Sequence, residues 1–267
     1  MQHHFKDLEN KWALVLGASS GFGLAVSTAL AKAGMHVCGV HLDRKGTMEG
    51  VERSIEGIRS MGRKAIFFNV NAADPERRKE VLDGFVAQAG DQARFHVLFH
   101  SLAFGTLKPY LAAPSESIQP AQMNMTLDVM AHSLVYWTQD LVARGLFERG
   151  GRVFAMTSAG GERVWKTYGA VSAAKAALES HIRQLSLELA PLEITANAIR
   201  AGVTDTPALR KIPGNDKMIE LAKAKNPYGK LTVPEDVAEA TVALCLPQMR
   251  WLTGNVLGVD GGENVVD

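Results

Sequence analysis

The apolar run Trp12-Ala13-Leu14-Val15-Leu16 stops at a glycine, and the residues after it leave little freedom in how the chain can fold. Five consecutive apolar residues read as a strand covered on both faces. Gly17-Ala18-Ser19-Ser20-Gly21-Phe22-Gly23 follows, and then a mostly apolar segment from Leu24 that reads as a helix stopped by Gly34. Strand, glycine turn and helix in that order make the start of a βα crossover. They also aim the free N–H groups and positive dipole end of the helix at whatever rests on the turn. A dinucleotide pyrophosphate suits such a turn. Gly17, Gly21 and Gly23 let the backbone come close, Ser19 and Ser20 add hydroxyl donors, and Phe22 lies within the turn. Taken alone, the triplet fits a tight turn in any βα unit as well.

The alternation continues. Met35–His41 reads as a second strand, Thr47–Met61 as a helix and Ala65–Val70 as a third strand. Pro75 after Asp74 opens a helix to Ala89, and Phe95–Phe99 is a fourth strand leading into His100-Ser101. A long helix is expected over Ala121–Arg144, a strand over Arg152–Met156, a helix over Ser172–Leu189 and a strand over Leu192–Ile199. Pro234 opens another helix, and Val256–Gly262 is a last strand and turn. The expectation is an α/β protein. It is a single-domain Rossmann-type doubly wound parallel sheet over residues 1–267, with about seven strands and helices on both faces. Thr206 to Tyr228 reads as long and irregular, and a substrate-binding loop is expected over residues 203–228.

In such sheets the end of the second strand meets the adenosine ribose. An acid there selects a free 2′-hydroxyl, and a nearby Arg accommodates a 2′-phosphate. His41-Leu42-Asp43-Arg44-Lys45 carries both signals. His41 stands where the selecting acid is expected by distance from Gly34, and Arg44 and Lys45 tilt the reading toward NADP(H) over NAD(H); a solvated loop would explain the two cations equally. Asn69 at the end of strand three is a candidate to hydrogen-bond the adenine. Asn69 also fits a simple turn cap.

The stretch Ser158 to Lys175 carries the candidate chemistry: a hydroxyl (Ser158) at a strand end, then a phenol (Tyr168) and an ammonium (Lys175) on the helix that follows. Seven residues are two helical turns, so both side chains can face one cleft. A neighbouring ammonium is expected to lower the pKa of Tyr168 and tune it for proton donation to an oxygen that gains charge. An ordinary helix with a half-exposed Tyr and a solvated Lys is the plainer reading. His132 on the long helix is expected to be core or interface rather than catalytic.

Formal net charge of +1 gives no electrostatic case for nucleic acid. Cys38 and Cys245 sit inside apolar runs and read as buried thiols of a reducing compartment. No spacing suits a metal, His3 and His4 included. Gln2, His3, His4 and Lys6 make a polar start unlike a signal peptide, no run is long enough for a membrane span, and a cytoplasmic protein is expected. Val135, Tyr136, Trp137, Leu178, Ile182 and Leu185 suggest two helices apolar beyond one stripe, which points to association, although core packing alone would also explain them.

These segments together resemble the short-chain dehydrogenase/reductase family over essentially the whole chain. The resemblance rests on Gly17 to Gly23, the Ser158/Tyr168/Lys175 set, Asn197-Ala198-Ile199-Arg200-Ala201-Gly202 and Val259-Asp260-Gly261-Gly262. Tyr and Lys seven apart, His100-Ser101-Leu102-Ala103-Phe104 after strand four, and Asp128 where an Asn is usual are similar to the bacterial enoyl-acyl-carrier-protein reductases. Ser158, where the main type of those enzymes has a second Tyr, looks closer to a minor enoyl reductase type or to ketoreductases. The resemblance implies reduction of the 2,3 double bond of an enoyl thioester, with acyl carrier protein as a possible partner and a homotetramer as the assembly. Tyr168 would bind the thioester oxygen, Lys175 the nicotinamide ribose, Ser158 the same oxygen or Tyr168 itself; nicotinamide would lie near Val203 and Thr204, Thr206 would bond the pyrophosphate or amide, and Val70 and Ser101 would complete the cofactor set. A carbonyl reductase of the same family, and a dinucleotide-binding regulator without turnover, are the competing readings.

Overall fold

The computed structural model describes residues 5–266; the readings made on Gln2, His3 and His4 lie outside them. Seven strands form one parallel sheet in the order β3-β2-β1-β4-β5-β6-β7. They are β1 (Trp12–Leu16), β2 (His36–His41), β3 (Ala65–Asn69), β4 (Phe95–His100), β5 (Phe147–Ser158), β6 (Thr195–Ala201) and β7 (Val256–Val259). Period-two alternation divides each buried strand between two cores. Trp12, Leu14 and Leu16 point to one face, Ala13 and Val15 to the other. The first core is closed by α3 (Pro75–Ala89), α5 (Ser133–Ala143) and α6 (Gly169–Glu188). The second is closed by α1 (Gly21–Lys32), α2 (Met48–Ser60) and α8 (Pro234–Cys245).

Strand order turns back at β1, whose two neighbours are β2 and β4. The chain therefore leaves β1 and β4 toward opposite faces, and a crevice opens above their carboxyl ends. Register then fixes the site: Leu16 pairs with His100 and His100 with Ala155, so Gly17, Ser101 and Ser158 all emerge at one edge.

Four expectations change in detail. The helix expected over Ala121–Arg144 is α4 (Pro120–Leu127) and α5, joined by a π-helical turn over Asp128–His132. One widened turn does not disturb apolar periodicity enough to be read. β5 begins at Phe147, ahead of the apolar run, because its polar start still pairs with β4. The segment from Thr206 to Tyr228 is not irregular throughout: it holds a short 3-10 turn at Leu209–Lys211 and α7 (Asn215–Lys225). Finally, Trp137, Leu178, Ile182 and Leu185 are buried in this chain's own first core. They need no partner subunit, and only Val135 and Tyr136 of that set remain at the surface.

Cys38 and Cys245 are free and buried. Among the described residues no helix is long and apolar enough to cross a membrane, and no three His, Cys, Asp or Glu side chains gather as a metal site would require.

Candidate active site

The glycine turn is tight in a way that only glycine permits. A Cβ on Gly23 would fall inside contact distance of the Gly17 carbonyl oxygen, and one on Gly17, whose φ is +86°, would strike the Ser101 carbonyl. Ser20, the residue before α1, makes no side-chain cap, which leaves the first N–H groups of the helix directed at the turn. Thr206 closes the far side, its methyl 3.5 Å from where a Cβ of Gly21 would lie. This cradle fits a pyrophosphate.

At the end of β2 the structure picks out a residue the sequence reading left out of the site. The Asp43 carboxylate accepts hydrogen bonds from Thr47 Oγ1 (2.8 Å) and His41 Nδ1 (3.0 Å). Burial alone would raise its pKa, but hydrogen bonds from Ser19 of the glycine turn, Thr47 and His41 outweigh it and hold the carboxyl below its ordinary range. His41 is buried behind it. Both ends of the Asn69 amide are committed to the Asp43 backbone, at 2.9 and 3.0 Å, so Asn69 shapes the pocket wall. Val70 N–H donates to the His41 carbonyl (2.8 Å) and ties β3 to β2. Arg44 is exposed beside this wall.

Across the crevice, Tyr168 is the residue that precedes α6, and Lys175 lies two turns in on the same face. Burial pushes the Tyr168 phenol up, and a hydrogen bond with Ser158 brings it only part of the way back. The sequence expectation was the reverse. Its reason fails because the Lys175 ammonium is buried and donates to the Met156 carbonyl at 2.7 Å. Burial pushes that ammonium down to about 8, opposed by Glu179. Ser158 Oγ also accepts from Gly160 N–H at 3.2 Å, which fixes the hydroxyl at the strand end.

The chain enters Tyr168 through Thr167, which holds a φ of +67°, a left-handed conformation costly for a β-branched residue. Trp165 just before it donates from its indole N–H to the Pro213 carbonyl at 3.1 Å, so this entry is tied to the segment ahead of α7.

His100 completes the site floor. It is fully buried, and its Nε2 meets Ser133 Oγ at 2.8 Å. Ser133 donates its own proton to the Val129 carbonyl at 2.8 Å, so Nε2 must be the donor and Nδ1 a bare acceptor. Burial and then the charge of Lys175 push the imidazole down to about 3, which keeps it neutral. His132, by contrast, pairs with His181 at 3.0 Å rather than with Tyr168 or Lys175.

A family model described as Enoyl-(Acyl carrier protein) reductase matches residues 17–264, from the first glycine of the turn to the segment beyond β7. The chain belongs to this family of short-chain dehydrogenases/reductases. It is 31% identical over 171 residues to an NADH-dependent enoyl-acyl-carrier-protein reductase of Aquifex aeolicus, a match spanning 64% of this chain and 62% of that relative's length. It is 28% identical over 257 residues to a 3-oxoacyl-acyl-carrier-protein reductase of Thermotoga maritima, covering 96% of this chain and 98% of that one. The crystal structure of an enoyl-acyl-carrier-protein reductase (NADH) from Aquifex aeolicus superposes with a TM-score of 0.84 at 25% identity, over 97% of this chain and 98% of that one.

Besides His41, Arg44, Asn69 and Val70 at the ends of β2 and β3, the expected residues fall into three sets here. Gly17, Ser19, Ser20, Gly21, Phe22, Gly23, Ser101 and Thr206 surround the glycine turn. Ser158 and Tyr168 sit together across the crevice, and Lys175, on α6, is bonded to the Met156 carbonyl of β5. Val203 behaves differently: its N–H donates to the Glu263 carboxylate at 3.1 and 3.2 Å, so that backbone donor is already taken by the C-terminal segment. Asp43 and the neutral His100 are the additions. Asp43 was visible as an acid near a strand end, but nothing in the sequence shows that its carboxylate turns toward Ser19.

Proposed function

We propose that the chain is an NADH-dependent oxidoreductase that reduces the 2,3 double bond of an enoyl thioester, with acyl carrier protein as the carrier. The observation that carries this reading is the placement of Tyr168 outside the N-terminus of α6, two turns from Lys175. A spacing of seven residues sets their backbones about 10 Å apart along the helix axis, against about 6 Å for a spacing of four. In enoyl reduction the oxygen that gains charge lies two carbons beyond the carbon that receives hydride. In carbonyl reduction it sits on that carbon. The longer separation suits the first geometry.

The reduced nicotinamide, when bound, supplies the hydride. Lys175 faces the cofactor side with two N–H donors left after its bond to Met156. Tyr168, kept protonated by burial, donates its hydroxyl hydrogen bond to the thioester oxygen. Charge on that oxygen is stabilised by the phenol and by the Lys175 field, and solvent returns a proton to the α-carbon. Ser158 holds the phenol in place. The α7 segment and the residues before it bind the acyl chain.

Asp43 supports NADH over NADPH, against the tilt of Arg44 and Lys45, because a fixed carboxylate beside Ser19 repels a 2′-phosphate. Asp43→Asn is expected to raise the ratio of kcat/KM with NADPH to that with NADH by about tenfold or more. A ratio that stays put or falls would take Asp43 out of the ribose pocket.

Carbonyl reduction is the second reading, favoured by the Ser158–Tyr168 hydrogen bond, which serves a carbonyl oxygen equally well. Purified protein with NADH is expected to oxidise it with a crotonyl thioester. Oxidation with an acetoacetyl thioester and none with crotonyl establishes the second reading instead.

A further inference from the structure

Lys175 is one of two charged residues enclosed together at the start of α6. Glu179, one turn on, is also buried, and its Oε1 accepts a 2.6 Å hydrogen bond from Thr157 Oγ1 on β5, between Met156 and Ser158. Lys175 in turn donates to the Met156 carbonyl. Helix and strand are thus stitched twice, once through each member of the pair. Gly161 makes room for the acid: a Cβ there would lie 3.2 Å from Glu179 Oε1 and 3.6 Å from Lys175 Cβ. A carboxylate removed from water is costly unless it has a partner, and here it has one hydroxyl and one nearby cation.

We infer that Glu179 is a positioning residue which, pinned by Thr157, supplies the negative charge that keeps the buried Lys175 ammonium protonated and seated against β5. The groups around Lys175 are few. Glu179 shares its helix, Tyr168 stands just ahead of that helix, Thr157 lies on β5, and His100 lies on β4. His100 is neutral and Tyr168 holds its proton, so neither can replace the charge of Glu179. With burial pressing the ammonium down to about 8 even in the presence of Glu179, loss of the carboxylate brings deprotonation into the neutral range.

The inference uses the role given to Lys175 above only for its consequence on turnover, and two measurements separate the parts. The first follows the lysine 13Cε shift against pH in ligand-free protein, with the Lys175 signal assigned by its loss in Lys175→Met. Glu179→Gln is expected to move the Lys175 midpoint down by about one unit, and Glu179→Asp, which keeps the charge, to restore most of it. A downward move of at least about half a unit supports the inference; a smaller or upward move overturns it. Should the Gln variant not fold, Glu179→Met, which keeps the volume and drops the charge, carries the same expectation. The second measurement is kcat against pH. Its alkaline limb is expected to shift down with the midpoint in Glu179→Gln. A midpoint that moves while the limb stays removes Lys175 from turnover and leaves the Glu179 assignment standing.

Discussion

Tyr168→Phe is expected to lower kcat with an enoyl thioester by about a hundredfold or more, the scale of a lost acid and a lost hydrogen bond to a developing oxyanion. The substitution isolates the hydroxyl. The ring stays packed beside the first core, and α6 keeps its first residue at Gly169. Burial holds the phenol in its protonated form, so the wild-type group is a donor across the neutral range. Binding of NADH, read by fluorescence titration, is expected to change by less than about twofold, because no dinucleotide contact is assigned to the hydroxyl. Lys175→Ala should fall as far in kcat and, unlike the Phe variant, weaken NADH binding. A Tyr168→Phe enzyme within about threefold of wild type would leave the site without its proposed donor.

Gly23→Ala tests the other side of the crevice. The backbone at Gly23 is not left-handed, so the substitution adds crowding alone. The added methyl meets the Gly17 carbonyl, with the carbonyl carbon only 2.8 Å away, and neither atom belongs to a flexible side chain. Relief requires the turn to move away from α1. Overpacking of this kind costs about 1–3 kcal/mol, which in a domain of this size lowers Tm by roughly 3–10 °C. Displacing the turn also separates the helix N–H groups from the pyrophosphate, and the Kd for NADH is expected to rise by about tenfold or more. Gly57→Ala in α2, where nothing lies within 4 Å, is the control: it should be neutral or stabilising by up to about 1 kcal/mol. Equal behaviour of the two variants would mean that the turn is looser than described.

Features that depend on near neighbours were legible in the sequence. β1 and β4 are short, largely apolar runs because both faces are covered, and Gly17 to Ser20 join β1 to α1, whose first residues are Gly21 to Gly23. The spacing of Tyr168 and Lys175 by two turns is also plain in the sequence, although Tyr168 stands just ahead of α6 rather than on it. What stayed hidden depends on residues far apart in the chain. The amide of Asn69 fixes Asp43 across 26 positions, Glu263 takes the Val203 N–H across 60, and Thr157 reaches Glu179 across 22. The acidity of Tyr168 was misjudged for the same reason: the ammonium's preference for Met156 is a property of packing between helix and strand. The π turn at Asp128–His132 left no mark in periodicity, since one extra residue in a wide turn keeps the flanking stripes apolar.

The link from Trp165 to Pro213 joins two tasks that would otherwise be independent. One end of it belongs to the stretch we propose binds the acyl chain, and the other sits three residues from Tyr168, the proposed hydrogen-bond donor, across Thr167 and its left-handed backbone. Exchanging residues 206–225 for those of a relative would thus alter rate as well as substrate range, since the new loop would pull on the phenol through the indole. On the proposed function, a loop exchange that retunes selectivity also shifts the phenol that meets the substrate oxygen.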